Sequence, residues 1–75
     1  MEIGEIYQLD DNRSMFSSSL DVRVECTKGD LFFVVNKAIA IKTTHITLMH
    51  PIWGLISIRC MNTHNNWIGI LVLVK

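Results

Sequence analysis

The stretch Asp21-Val22-Arg23-Val24-Glu25-Cys26 alternates one charged and one apolar residue without a slip. Side chains of an extended strand point to opposite faces at every step, whereas a helix groups residues three and four apart, so this spacing predicts a half-buried β-strand. Leu55-Ile56-Ser57-Ile58-Arg59-Cys60 repeats the rhythm and sends Ile56, Ile58 and Cys60 inward, with Ser57 and Arg59 outward. Between them, Asp30-Leu31-Phe32-Phe33-Val34-Val35 is a short aromatic and β-branched run suited to a pleated surface. Thr27-Lys28-Gly29 ahead of it supplies a hairpin turn, in which Gly29 can take the positive φ.

Outward from these segments, Gly4 to Leu9 reads as a first strand and Asp10 to Ser19 as a long loop, with a helical turn at Arg13 to Phe16 as the alternative. Asn36-Lys37 reads as a turn, followed by a strand over Ala38 to Lys42. Ile39 and Ile41 fall on odd numbers while Ile46 and Leu48 fall on even ones, so Thr43-Thr44-His45 is predicted to hold a turn or a bulge. Breaks at His50 to Gly54 and at Asn62 to Asn66 precede a closing strand over Trp67 to Val74. The prediction is all-β: a small antiparallel β-barrel of six to seven short strands. Closure is preferred because an open sheet leaves apolar edges unprotected. Residues 1–75 form a single domain, with no internal repeat and no linker tract.

A chain of 75 residues buries a small core and has a thin stability margin. Cys26 and Cys60 form no CxxC pair and are too sparse for a disulfide scaffold, so free thiols in a reducing compartment are expected. The acidic opening Met1-Glu2-Ile3-Gly4-Glu5 predicts no secretion signal. The apolar run Trp67 to Val74 is far shorter than the roughly 20 residues a spanning helix needs. The expected setting is cytoplasmic, without membrane contact. Net charge is zero, but every acid lies at or before Asp30, and the second half carries only Lys37, Lys42, Arg59 and Lys75 with three histidines.

The pattern Val22-x-Val24 followed by Lys28-Gly29-Asp30-x-Phe32-x-Val34 resembles the second and third strands of SH3-like barrels, where a Lys-Gly-acidic turn joins two strands. Gly4-Glu5-Ile6-Tyr7 before a polar segment is compatible with that fold's first strand and long loop. The resemblance covers about the first half of the chain. The aromatic first-strand motif, the paired tryptophans and the Pro-x-x-Tyr that line a proline-rich peptide groove are absent, so the barrel is implied and the peptide specificity is not. Small barrels of this kind are frequent among bacterial and phage proteins that bind proteins or nucleic acid, which implies a small regulator or inhibitor acting by contact.

Chemistry-bearing motifs are scarce. His45, His50 and His64 match no zinc spacing, so no metal or cofactor is expected, although a fold could assemble His45, His50 and Cys60. Cys60 with His50 or His64 would make a nucleophile pair, but nothing in the sequence activates the thiol. Asp10-Asp11 is the one tight carboxylate pair and reads as solvated, and Gly4, Gly29, Gly54 and Gly69 are isolated rather than grouped in a phosphate loop. The chain is therefore not expected to be an enzyme.

Contact is the expected activity. In the run Trp67 to Val74, Ile68, Ile70, Val72 and Val74 alternate with Trp67, Leu71 and Leu73, so both faces are apolar and one needs cover. Met15 and Phe16 of the long loop could provide it, or another chain. The first hypothesis is a protein-binding module, with self-association as one form, using Leu71 and Leu73 beside Trp67 or Trp53 as aromatic anchors. Nucleic-acid binding through Lys42, Arg59 and Trp53 ranks second, since seven basic residues are matched by seven acids. A metal or small-molecule site near His50 ranks third.

Overall fold

The computed structural model describes residues 1–75 as seven strands with no helix. They are β1 (Ile6–Leu9), β2 (Arg13–Ser17), β3 (Val22–Cys26), β4 (Leu31–Ile39), β5 (Thr43–His50), β6 (Gly54–Met61) and β7 (Leu71–Leu73). All join one antiparallel sheet in the order β3-β2-β6-β5-β4-β1-β7, curled around the core as a half-barrel. No helix long and apolar enough to cross a membrane is present.

The alternating segments fold as their spacing requires. Val24 and Cys26 of β3 and Ile56 and Ile58 of β6 are buried, and Cys60 lies half-buried on the same inner side; both cysteines are free thiols. Leu9, Met15, Phe32, Val34, Ile46, Leu48 and Leu71 complete the core, so every strand contributes at least one side chain. Each such side chain contributes about 1.5 to 3 kcal/mol by leaving water.

Five expectations are corrected. The segment predicted as a long loop contains β2, whose Met15 and Ser17 point into the core. Ser17 is tolerated there because its hydroxyl donates to the Trp53 carbonyl (2.8 Å) and accepts from the Leu20 N–H (3.1 Å). Asn36-Lys37 is not a turn: β4 runs through it to Ile39, and the chain reverses at Ala40 to Lys42 instead. The turn at Ala40 to Lys42 accounts for the change from odd to even numbers, so Thr43-Thr44-His45 hold neither turn nor bulge and open β5. A separate slip between Val34 and Asn36 moves the inward side of β4 from even to odd numbers, and Ile39 and Ile41 lie in solvent beyond the core. The closing strand is shorter than Trp67 to Val74, because residues 66–70 turn before β7 begins.

The fifth correction is closure. No ladder joins β3 to β7. β2 pairs with β6 only through Phe16 and Ser17, and Trp67 packs beside the divergence. The Trp67 indole N–H donates to the Arg59 carbonyl of β6 (3.1 Å), and the Arg13 guanidinium of β2 lies 5.7 Å from the ring centroid. Side chains therefore cover the gap that a closed barrel would fill with backbone bonds.

Gly54 opens β6 at φ +72°, and a Cβ there would meet Ser19 Oγ at 2.8 Å. Ser19 is held by the Leu55 N–H, which donates to that oxygen at 2.9 Å, so it cannot swing aside without losing a bond. Gly54→Ala is therefore expected to cost about 1 to 2 kcal/mol, read as a lower urea midpoint at constant slope. An unchanged midpoint would show that the β5–β6 turn is free to rearrange.

Candidate functional site: an uncharged outer face

Antiparallel register places directly opposed residues on the same side of a sheet. Ile6 opposes Phe33, Phe33 opposes Met49, and Met49 opposes Leu55. At the other side of β1 the Val74 N–H donates to the Ile6 carbonyl at 2.9 Å, which extends the row to β7. Val74, Ile6, Phe33, Met49 and Leu55 thus form one apolar row across five strands on the outer, convex side. Val72, Gln8 and Leu31 form a second row below it. Val35, displaced by the bulge, flanks the first.

These rows carry no formal charge, and their only polar member is Gln8; Asn36, Thr47 and Ser57 flank them on the same side, with His45 and Arg59 beyond. Phe33 is 41% exposed, Leu31 40%, Val35 42%, Met49 39%, Val72 46% and Val74 43%. Together they present on the order of 500 Å² of contiguous apolar surface, near the upper end of what a monomer of this kind shows. Sequence reasoning missed this surface. The signal was in β4, where Leu31, Phe33 and Val35 alternate with the buried Phe32 and Val34, so the strand is apolar on both sides.

The residues singled out from the sequence are dispersed. Leu71 is in the core at 4% exposure, and Leu73 is partly exposed on β7. Trp53 and Trp67 are half-buried and pack against the core. Lys42 and Arg59 lie toward one end of the β5–β6 ladder and Trp53 at the other, roughly 20 Å or more away at about 3.4 Å per residue. His45 faces outward opposite Arg59, Cys60 faces inward opposite Thr44, and His50 lies at the far end of β5, so those three do not converge.

His50 instead meets two residues of the β3–β4 turn. One donor atom each from Cys26, Asp30 and His50 lies within 4.8 Å of the others, an arrangement that metal ions use elsewhere. The hydrogen bonds assign it a different role. His50 Nδ1 accepts from the Ile52 N–H (3.1 Å) and the Trp53 N–H (3.2 Å), which leaves Nδ1 unprotonated and puts the ring proton on Nε2. That N–H donates to Asp30 Oδ2 at 2.8 Å, and the same oxygen accepts from the Thr27 N–H at 3.0 Å. A metal on Nε2 would need the proton on Nδ1, against two backbone N–H groups. The third donor is also poor: burial first, then Asp30 and Glu25, push the Cys26 thiol up to about 11. The cluster is a pin between two hairpin turns.

The one cavity, about 180 Å³, lies at the open end of the half-barrel among Met1, Lys37, Thr44, Cys60 and Asn62. It falls short of the roughly 300 Å³ at which ligand sites begin, and Glu2 neutralises its lysine at 2.7 Å. Burial raises the Cys60 thiol pKa and outweighs the nearby ammonium groups, so the thiolate a nucleophile requires is disfavoured. Every buried side-chain polar atom has a hydrogen-bond partner. No protein-family model, curated protein or solved structure matches this chain.

Proposed function

We propose that this chain is a non-enzymatic protein-binding module, a small regulator or inhibitor that acts by contact, and that it docks through the outer face centred on Phe33. The observation that carries this reading is the uncharged row Val74, Ile6, Phe33, Met49 and Leu55. Exposed apolar rows of this extent are characteristic of interaction surfaces. The face is convex, so two copies set face to face would touch over only part of it. Its partner is a different protein with a concave, apolar and uncharged recess into which Phe33 inserts as the aromatic anchor. The half-barrel is read as an SH3-like barrel left partly open. Supporting that description is the tight Thr27 to Asp30 turn, closed by the Asp30 N–H donating to the Thr27 carbonyl at 3.0 Å with Gly29 at φ +99°.

The test compares proteins captured from a lysate by the wild type, by Phe33→Lys and by Ile41→Lys. Ile41 is 96% exposed but lies on the β4–β5 turn, away from the face, so it controls for loss of a greasy side chain anywhere. The expected result is a defined protein lost at least tenfold with Phe33→Lys and retained with Ile41→Lys. Equal capture by all three would overturn the reading. So would capture of nucleic acid that salt releases, which would favour the basic residues Lys42 and Arg59.

A further inference from the structure

The two edges of the sheet differ in kind. β3 carries Arg23 and Glu25 on its outer side, charges of the sort that keep sheet edges from pairing. β7 is Leu71-Val72-Leu73, followed by Val74, with no charge, no proline and no bulge. Its backbone orientation follows from the bonds to β1: the Asp10 N–H donates to the Ile70 carbonyl (2.8 Å) and the Val74 N–H to the Ile6 carbonyl (2.9 Å). In an antiparallel ladder such bonds recur at alternate residues, so the even-numbered residues of β7 address β1. Leu71 and Leu73 turn their backbone groups to the open side. The Leu71 N–H is already taken by the Trp67 carbonyl at 3.0 Å, which leaves the Leu71 carbonyl and both groups of Leu73 unpartnered.

We propose that β7 is the seam of a homodimer in which two copies pair their β7 edges antiparallel about Leu73. In that register the Leu73 N–H of each copy donates to the Leu73 carbonyl of the other. The Lys75 N–H of each donates to the Leu71 carbonyl of the other, and only the reciprocal bond is forgone, because the Leu71 N–H is already taken by Trp67. Other registers fit worse: centring on Val72 would require the Leu71 N–H. On the outer side Val72 comes to lie against Val74 of the other copy, an apolar match across the seam. The net charge of zero leaves no long-range repulsion between copies, and in this register the unpartnered groups of Leu71 and Leu73 are met by those of a second copy, with Lys75 at the end of the seam its one charged residue. So short a seam buries less than the roughly 800 Å² per partner of a standard interface, which makes the dimer concentration-dependent. This inference rests on the β7 edge; Val72 and Val74 belong to the outer face as well, and Phe33, which the seam leaves out, distinguishes its failure from that of the proposed function.

Sedimentation of the full chain across roughly 10 µM to 1 mM tests it. The weight-average mass is expected to rise from 8.6 kDa toward twice that value. Leu73→Pro removes the seam donor without touching a bond to β1, and Val72→Lys places a charge in the seam at an outward, exposed position. Each is expected to weaken association at least tenfold with an unchanged far-ultraviolet spectrum. Should Leu73→Pro fail to fold, Val72→Lys alone decides. Phe33→Lys is expected to dimerise as the wild type does. A wild type that stays at 8.6 kDa throughout would overturn the proposal. The same holds if Val72→Lys dimerises as tightly as the wild type, or if Phe33→Lys abolishes dimerisation.

Discussion

Phe32→Ala is expected to lower stability by about 3 to 5 kcal/mol, whereas Phe33→Ala, one residue along, should lower it by less than about 1 kcal/mol. The two side chains are chemically identical and differ in the face they occupy. Phe32 is fully buried and stacks at a tilt on the His50 ring, with centroids 5.1 Å apart, while Phe33 stands on the outer face. Truncating Phe32 removes apolar area from the core and leaves a void that Leu9, Val34 and Leu48 can fill only in part. A chain of 75 residues has a total margin of about 4 to 11 kcal/mol, so the first variant is left largely unfolded on gentle warming and the second is not. Urea midpoints of the two variants decide the matter. Equal losses would mean that the assignment of faces along β4, and with it the outer row, is wrong.

His50→Ala is expected to cost about 2 to 4 kcal/mol, because it leaves two backbone donors without their acceptor and takes from Asp30 one of the two donors to its Oδ2. His50→Asn should restore part of this: its side-chain oxygen can accept from the Ile52 and Trp53 N–H groups as an Asx turn does, but it is too short to reach Asp30. The remaining loss then measures the pin itself. Asp30 adds a pH dependence. Burial works to raise its pKa, but the Thr27 N–H and the His50 ring outweigh burial and hold the carboxyl below its usual 3.8. A carboxyl depressed in the folded state contributes stability that is present above the unfolded value and lost as pH falls through the folded one. Denaturation curves of the wild type should therefore lose stability below pH 3.8, and those of Asp30→Asn should do so less steeply. Parallel acid profiles for the two proteins would show that the Asp30 contact is not formed.

Sequence legibility followed the alternation. β3 and β6 were readable because each apolar residue is flanked by a charged or hydroxyl residue, so their period is unambiguous. β2 was not, since Ser17 occupies a core position and only its bonds to Trp53 and Leu20, from segments far and near in the chain, make that tolerable. The shift of parity between Ile41 and Ile46 marked a turn, which the structure places at Ala40 to Lys42 rather than at Thr43 to His45. The slip at Val35 had no such signal, because Val34 and Val35 look alike in sequence. Ile39 and Ile41 drew the expected strand forward into what is a solvent-exposed turn. The site depended on register rather than composition: Phe33 meets Met49 across the β4–β5 ladder, and Val74 joins their row only because β1 lies between β4 and β7. Likewise, no local pattern joins His50 to Asp30, twenty residues away along the chain.

The position of β4 in the sheet order also governs what happens when the fold is lost. Leu31-Phe32-Phe33-Val34-Val35 is an uncharged, proline-free stretch of strong strand formers, the composition from which cross-β fibrils nucleate. In the native protein β5 and β1 occupy both of its flanks, so its backbone offers nothing to a passing chain. Asp30 and Lys37 bracket it as gatekeepers, but once heat or denaturant frees its flanks they are the only protection left. Irreversible clumping after unfolding, rather than clean refolding, is the hazard built into a strand that serves the interior with one side and the exterior with the other.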